Sequence, residues 1–166
     1  MTAQRQLIVM RHAKAGELPG GPDAERALRP RGRRDASAAG GWLTASQLAP
    51  DLVFCSGARR ARQTWQYVGA ELAAEPQVIA DPRLYEADAR GLLDILAQAP
   101  PDTRTLMYVG HNPAAADLAE ILTGQSVDLR TASIAVIGLA VSWSALADGD
   151  TAGAGELVAT WSPGSQ

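Results

Sequence analysis

The chain has 166 residues, of which 46% are hydrophobic and 20% are charged, and its formal net charge is −3. These values predict one globular domain over residues 1–166, and they exclude the strongly positive field that would draw a protein onto nucleic acid or an anionic membrane. We expect no signal peptide, because the chain enters a strand within about six residues. We expect no membrane span, because no apolar stretch approaches the about 20 residues that cross a bilayer. The sequence therefore predicts a cytoplasmic protein without nucleic-acid or membrane partners.

Apolar runs and turn residues alternate along the chain in the pattern of an α/β protein. In chain order, the pattern predicts a strand at 6–11, a Gly- and Pro-rich loop at 15–31, a helix at 32–47, a strand at 52–55, a helix at 58–74, a short strand at 78–79, a helix at 90–98, a strand at 105–110, a helix that begins at Pro113 and ends at 122–124, and strands at 133–143 and 156–162. Ser56 is the expected N-cap of the second helix. This order predicts a three-layer α/β/α sandwich with a mostly parallel sheet and an antiparallel edge made by the last two strands.

Cys55 is the one cysteine of the chain, which excludes an intrachain disulfide and a cysteine-based metal cluster. Because it ends the apolar run 52–55, we expect a buried thiol without a chemical role.

The chain contains two histidines, and both follow a short apolar, β-prone run. His12 comes directly after the first predicted strand, with Arg11 before it, and His111 follows the strand at 105–110. In an open α/β sheet, ligand sites form at the carboxyl ends of the strands. The two imidazoles and the arginine therefore make a candidate active site.

A third strand ends at Ser56, where a basic segment forms the first turns of a helix. Helix N-termini attract anions through their free N–H groups and the helix dipole. Arg11, together with one or two of Arg59, Arg60 and Arg62, would add cationic charge to that site. An oxyanion pocket beside two imidazoles is suited to phosphoryl transfer, where catalysis is largely positioning and charge stabilisation.

Three segments resemble signatures of the histidine phosphatase (phosphoglycerate-mutase-like) superfamily. Residues 11–14 read R-H-A-K, a form of its R-H-G signature, and residues 56–64 are similar to its S-x-x-x-R-x-x-Q-T segment, with the arginine at Arg60. Residues 109–113 resemble its G-H-x-P element. Asp23, Arg26, Leu28 and residues 31–34 also read like the loop and helix start of the small SixA-type phosphohistidine phosphatases. The resemblance spans about residues 6–142 and implies a phosphoglycerate-mutase-like fold.

The resemblance implies a role for each of four residues. His12 is the expected nucleophile, which forms a phosphohistidine intermediate that water hydrolyses. Its attacking nitrogen is unprotonated, so we expect a backbone carbonyl to hold its other N–H. Arg11 and Arg60 are expected to bind the phosphoryl oxygens, and His111 to donate to the same oxygens. These cationic groups take the place of Mg²⁺, so no metal or other cofactor is expected.

The proton donor for the leaving group is Glu86 by resemblance, since residues 84–86 are similar to an L-x-E element of the family. Glu17 and Asp88 are two further candidates for the same role. Substrate binding is also assigned to Lys14, Ser56 and Asn112, with Ser56 in a cap or phosphate-loop role, because no G-x-S-x-G nucleophile motif surrounds it.

The other arginines near the predicted pocket have a simpler interpretation. Arg59 and Arg62 would point away from the pocket on their helix and face solvent. The basic run of residues 26–34 is interpreted as a solvated loop and helix start; a rim that recruits an acidic or phosphorylated protein is the second possibility.

These observations predict a metal-independent phosphatase with a shallow, open site that acts on phosphohistidine in proteins or on small phosphoesters. A mutase is disfavoured, because it requires an enclosed site that excludes water. A small-molecule phosphomonoesterase for sugar or nucleotide phosphates is the second candidate function, and a non-catalytic phosphate-binding module is the third. The expected partner is a phosphorylated substrate, and the oligomeric state stays open, with a monomer compatible with the sequence.

Overall fold

The computed structural model of the protein describes residues 4–164 and contains six strands, four α-helices and three short 3-10 helices. The strands are β1 (Arg5–Arg11), β2 (Leu52–Ser56), β3 (Gln77–Asp81), β4 (Thr105–Gly110), β5 (Ile134–Leu139) and β6 (Gly155–Trp161). The helices are α1 (Pro30–Ala45), α2 (Arg59–Gly69), α3 (Ala89–Leu96) and α4 (Ala114–Thr123), and the 3-10 helices are Asp23–Glu25, Pro82–Tyr85 and Ser144–Ala147.

The six strands form one sheet in the order β3-β2-β4-β1-β5-β6. β3, β2, β4 and β1 are parallel to their neighbours, whereas β5 pairs antiparallel with β1, and β6 pairs antiparallel with β5. The prediction of a mostly parallel sheet with an antiparallel edge is therefore confirmed.

Helices cover both faces of the sheet, and β1 shows why. Its side chains alternate between the two faces: Leu7 and Val9 lie in a core shared with α3 and α4, and Ile8 and Met10 lie in a core shared with α1 and α2. All four are completely buried. A strand that is apolar on both faces is typical of a sheet between two helical layers, so the predicted three-layer sandwich is confirmed.

Several element boundaries differ from those predicted, among them the start of α1 and the ends of α2 and β5. α1 begins at Pro30, two residues earlier than expected, because proline is preorganised for the first position of a helix. α2 ends at Gly69 rather than at residue 74, where a glycine lowers the local helix propensity. The expected strand 133–143 ends at Leu139, and the chain then turns into a 3-10 helix.

The N-cap prediction for Ser56 is wrong. Ala58 is the N-cap residue of α2, and it makes no side-chain capping bond. Ser56 is instead the last residue of β2, fully buried, and its hydroxyl is hydrogen-bonded to a side chain of the neighbouring strand end. The same hydroxyl accepts from the Ala58 N–H at 3.3 Å, so Ser56 combines a local bond just before the helix with a tertiary one.

Two further expectations concern the Cys55 thiol and membrane-spanning helices. Cys55 is buried, as predicted, and burial raises the pKa of its thiol to about 12, so the thiol stays protonated and unreactive at neutral pH. No helix within residues 4–164 is both long enough and apolar enough to cross a membrane.

Candidate active site

The carboxyl ends of β1, β4 and β2 lie side by side, because β4 is hydrogen-bonded to both of the others. Arg11 pairs with Gly110 in this register, so the residues that follow β1 and β4 start from the same edge of the sheet. An open cleft of about 420 Å³ lies above this edge. Its walls are formed by Arg11, His12, Asp23, Arg26, Arg60, Tyr85, Glu86, His111 and Asn112.

His12 lies at the base of the cleft and is only 8% exposed. Its Nδ1 is 2.8 Å from the carbonyl oxygen of Ala13, and Nε of Arg60 donates to its Nε2 at 3.3 Å. A carbonyl can only accept and a guanidinium can only donate, so both contacts require a proton on Nδ1 and a lone pair on Nε2. The geometry thus matches the expectation that a backbone carbonyl holds the second ring nitrogen.

The electrostatic surroundings of His12 also favour its neutral form. Burial lowers the pKa of His12 to about 3; the hydrogen bond to Ala13 opposes this shift, and the charges of His111, Arg60 and Arg11 add to it. The imidazole is therefore uncharged at neutral pH, so Nε2 keeps the lone pair that a nucleophile needs.

Arg60 connects the nucleophile candidate to the loop between β1 and α1. The residue is 6% exposed, and all three guanidinium nitrogens have partners. Besides the contact of Nε with His12, Nη1 donates to the backbone oxygen of Asp23 and Nη2 to its carboxylate, both at 3.0 Å. The sequence resemblance identified Arg60, and the structure brings it to His12.

Asp23 and Tyr85 are site residues without an assigned role at the level of sequence. The carboxylate of Asp23 accepts hydrogen bonds from the Tyr85 hydroxyl, from Arg60 and from Nε of Arg26, the last at 2.8 Å. The Tyr85 hydroxyl, together with the two arginines, lowers the pKa of Asp23 to about 2, so this carboxylate is ionised at neutral pH. The ring of Tyr85 also lies 5.6 Å from that of His111 in an edge-on arrangement.

His111 faces His12 across the cleft, with 5.3 Å between the ring centroids. Its Nε2 is 2.8 Å from the hydroxyl of Ser56, and its backbone N–H donates to the buried hydroxyl of Tyr108 at 3.1 Å. Burial, with the charge of Arg60 as the next cause, lowers the pKa of His111 to about 4. Two hydroxyls under the cleft therefore position a neutral imidazole.

Arg11 contributes the second cation of the cleft. Its Nη1 donates to the carbonyl oxygen of Leu129 at 3.2 Å, whereas its buried Nε has no protein partner within the described residues. Burial lowers the pKa of Arg11, and the charge of Asp128 opposes that shift. The guanidinium keeps donor capacity that the protein itself does not use.

Gln63 and Thr64, which belong to the family-like segment 56–64, act on the loop that follows β1. The buried Thr64 hydroxyl accepts from the Ala13 N–H at 2.9 Å and donates to the Arg60 carbonyl at 2.7 Å. The Gln63 side-chain oxygen accepts from the Leu28 N–H at 2.8 Å. Since Ala13 orients His12, these two side chains hold His12 in place indirectly.

The remaining predicted site residues differ in whether they line the cleft. Glu86 is exposed on the wall of the cleft, and Asn112 also lines it, although its side chain bonds Leu129 and Ala116. Lys14 is exposed and does not line the cleft, because its backbone packs against Gly32 and its side chain points to solvent. The predicted contact between Lys14 and substrate is not supported by this placement.

Glu17 and Asp88, the two further proton-donor candidates, lie outside the cleft lining. Glu17 is exposed, and the side chain of Asp88 caps α3 by accepting from the Gly91 N–H at 2.8 Å. Of the three proton-donor candidates, Glu86 is therefore the one that lines the cleft.

Two further predictions concern arginines outside the cleft and groups of metal-binding side chains. Arg59 and Arg62 are exposed, as predicted. Within residues 4–164, no group of three or more histidine, cysteine, aspartate or glutamate side chains has the arrangement of a metal site.

The chain is similar in sequence to known proteins over most of its length. The model of the histidine phosphatase superfamily (branch 1) matches residues 7–102. An uncharacterised protein of Mycobacterium tuberculosis (strain H37Rv) is 38% identical over 146 residues, covering 81% of this chain and 90% of that protein. An uncharacterised protein of Mycobacterium leprae (strain TN) is 36% identical over 151 residues, covering 82% and 91%.

Solved structures share the fold. The candidate phosphohistidine phosphatase SixA of Nakamurella multipartitia superimposes with a TM-score of 0.86 at 31% identity, covering 96% of both chains. The protein histidine phosphatase SixA in complex with tungstate gives a TM-score of 0.78 at 25% identity, covering 95% of this chain and 97% of that one. The family match spans more than half of this chain, and the fold agrees with it. The chain therefore belongs to the histidine phosphatase superfamily, as a phosphatase of SixA-like fold.

Proposed function

We propose that this protein hydrolyses phosphohistidine on proteins through a covalent phosphohistidine intermediate on His12. One observation carries the proposal: Nδ1 of His12 is held by the Ala13 carbonyl at 2.8 Å while Nε2, unprotonated, faces the cationic cleft. A residue that only bound phosphate would donate a hydrogen bond, whereas this imidazole offers a lone pair. This arrangement supports a nucleophilic role for His12.

The reaction has two displacements at phosphorus. In the first, the Nε2 lone pair of His12 forms a bond to phosphorus, and the bond between phosphorus and the leaving group breaks with its electron pair, which takes up a proton. In the second, water attacks the phosphohistidine and returns a proton to the group that donated one in the first step, the bond between Nε2 and phosphorus breaks, and inorganic phosphate leaves. Nε2 recovers its lone pair, so the enzyme returns to its starting state.

Charge stabilisation in both steps is assigned to Arg11, Arg60 and His111. The two guanidinium groups supply donors to the phosphoryl oxygens, where negative charge is concentrated. Ser56 has a positioning role: when its hydroxyl donates to Nε2 of His111, the proton of that imidazole lies on Nδ1, which then donates to the phosphoryl group. One structural neighbour, SixA complexed with tungstate, binds a tetrahedral oxyanion similar to phosphate.

The leaving group determines how much the reaction depends on an acid. Asp23 is ionised and fully engaged by its three donors, so it is not the proton donor, and Glu86 on the cleft wall is our candidate. An imidazole leaving group needs less help than an alkoxide, because it is the weaker base. We expect Glu86→Gln to slow alkyl phosphates at least tenfold more than aryl phosphates or phosphohistidine; equal slowing of all three would remove Glu86 from this role.

The substrate class is tested by comparing kcat/KM for a phosphohistidine peptide, sugar and nucleotide phosphates, and an aryl phosphate. We expect the peptide to be the best substrate, since the cleft is open and offers no enclosure for a small molecule. A preference for a sugar or nucleotide phosphate would favour a small-molecule phosphomonoesterase instead. If no substrate is turned over, a non-catalytic phosphate-binding module is the remaining candidate function.

The single domain over 1–166, the cytoplasmic location and the oligomeric state stay predictions.

A further inference from the structure

The catalytic cleft continues into a groove between α3 and α4. A hollow of about 230 Å³ shares Tyr85, Glu86, His111 and Asn112 with the cleft and has a floor of small and apolar residues, namely Ala87, Pro113 and Ala114. A second hollow, of about 380 Å³, shares Asp88 and Asp117 with the first and extends along the two helices to Glu120 and Ile121. We call these two hollows together the α3–α4 groove.

Carboxylates stand along the walls of this groove. Glu86, Asp88, Asp117 and Glu120 all line it and are all exposed. Asp117 and Glu120 are three residues apart on α4, so they lie on the same face of that helix.

One cation also borders the groove. Arg90 donates to the carbonyl oxygen of Ala147 at 2.7 Å and lies 3.5 Å from Asp94, so its guanidinium is already engaged by other partners. The groove is therefore apolar at its floor and negative at its walls, whereas the adjoining cleft is positive.

We propose that the α3–α4 groove binds a basic polypeptide segment that flanks the phosphoryl-bearing residue of a protein substrate. This inference rests on the proposed function, because it assumes that the phosphoryl group lies beside His12 and His111. The groove begins at His111 and Asn112, beside that position, so a polypeptide attached to the phosphoryl group can continue into it. There the carboxylates attract lysine or arginine and repel a second phosphate or an acidic flank.

The contribution of the groove to substrate binding is limited by the exposure of its carboxylates. Ion pairs in contact with solvent are individually weak and are screened by salt. Two such pairs, at Asp117 and Glu120, together change binding by about five- to tenfold, judged from measured exposed pairs. The groove is thus a source of substrate preference and leaves the chemistry in the cleft unchanged.

The test uses two histidine phosphopeptides that differ only in carrying lysine or glutamate at the positions flanking phosphohistidine. The variant D117K/E120K reverses the charge of the groove. Its matched control, E75K/E156K, makes the same change in net charge at exposed positions beside the amino ends of β3 and β6. E120K alone serves as a second variant, because the other change, D117K, puts a lysine in the first turn of α4, where it opposes the helix dipole. An aryl phosphate reports on the catalytic machinery in every protein.

For the wild type and the control we expect kcat/KM to favour the lysine peptide about five- to tenfold at low salt. We expect D117K/E120K to abolish or reverse this preference, and E120K to reduce it, while kcat/KM for the aryl phosphate stays within about twofold. Equal rates with both peptides, or a preference that survives in D117K/E120K, would overturn the groove assignment and leave the proposed function standing. No hydrolysis of either peptide, with the aryl phosphate still turned over, would overturn the proposed function and this inference with it.

Discussion

Nε of Arg60 lies 3.3 Å from Nε2 of His12, and the other two nitrogens of the same guanidinium donate to Asp23. One buried cation thus connects the nucleophile candidate on β1 to the loop that closes the side of the cleft. The contact with Nε2 keeps that nitrogen unprotonated before substrate arrives. A phosphoryl oxygen in the cleft has to take over some of these donors, so the bonds from Arg60 to Asp23 compete with substrate binding.

Removal of the Asp23 charge should strengthen oxyanion binding. In Asp23→Asn, Arg60 keeps the backbone oxygen as a partner for Nη1, but Nη2 loses its carboxylate and the cleft loses a negative charge. We expect the inhibition constant of inorganic phosphate to fall about two- to fivefold, the range set by an exposed charge pair. Glu156→Gln, which removes a charge at the start of β6, should leave it unchanged. A weaker inhibition by phosphate in Asp23→Asn would contradict the competition.

Loss of the Thr64 hydroxyl should reduce both stability and activity. Thr64→Val leaves the buried Ala13 N–H without an acceptor, which costs about 1–3 kcal/mol in the free energy of unfolding. Because Ala13 orients His12, we also expect kcat to fall at least tenfold. Thr64→Ser keeps the hydroxyl, so its kcat should stay within a few-fold of wild type. Denaturant unfolding and steady-state kinetics check both values, and a fully active Thr64→Val would contradict the role of this contact.

Two glycines of α1 should respond to alanine in opposite directions. A Cβ at Gly32 would lie 2.1 Å from the backbone oxygen of Lys14, two residues after His12, whereas a Cβ at Gly41 meets nothing within 4 Å. We expect Gly32→Ala to destabilise the protein by about 1–3 kcal/mol or more through overpacking. Gly41→Ala should stabilise it by about 0.5–1 kcal/mol through helix propensity. Thermal unfolding of both variants measures these changes in stability. Equal changes in the two variants would show that the loop at Lys14 moves to make room for the added methyl group.

The two histidines should make stability depend on pH in one direction. In the unfolded chain they titrate near pH 6.5, whereas in the folded protein the pKa of His12 is lowered to about 3 and that of His111 to about 4. Below pH 6.5 the unfolded state therefore binds protons that the folded state does not, and the free energy of unfolding falls as the pH falls. Above pH 6.5 both states hold neutral imidazoles, and this dependence disappears.

For His12 the slope approaches about 1.4 kcal/mol per pH unit between pH 6.5 and 4.5, and for the more exposed His111 it is smaller. Asp23, with its pKa lowered to about 2, adds a further loss only below about pH 4. Denaturant unfolding at about pH 4.5, 5.5, 6.5 and 7.5 measures the slope. His12→Asn should flatten it, and an unchanged slope in that variant would contradict a neutral buried His12.

The core of the site was accessible from the sequence. Apolar runs identify β1, β2 and β4, and the carboxyl ends of parallel strands meet at one edge, so His12, Ser56 and His111 could be placed together. The partners of Arg60 could not be found in this way. Asp23 begins a short 3-10 helix between β1 and α1, and Tyr85 is 62 residues further along the chain, so no periodic pattern connects them. Ser56 illustrates a second limit, because a local capping rule cannot predict its tertiary hydrogen bond with His111.

The most direct test of the account is a single turnover of a ³²P-labelled aryl phosphate, quenched rapidly in alkali, in which phosphohistidine survives. The account predicts a transient, acid-labile label on the peptide that contains His12, and no label in His12→Ala. Turnover by the wild type without any label on the protein, or a label that persists in His12→Ala, would contradict the assignment of His12 as the nucleophile.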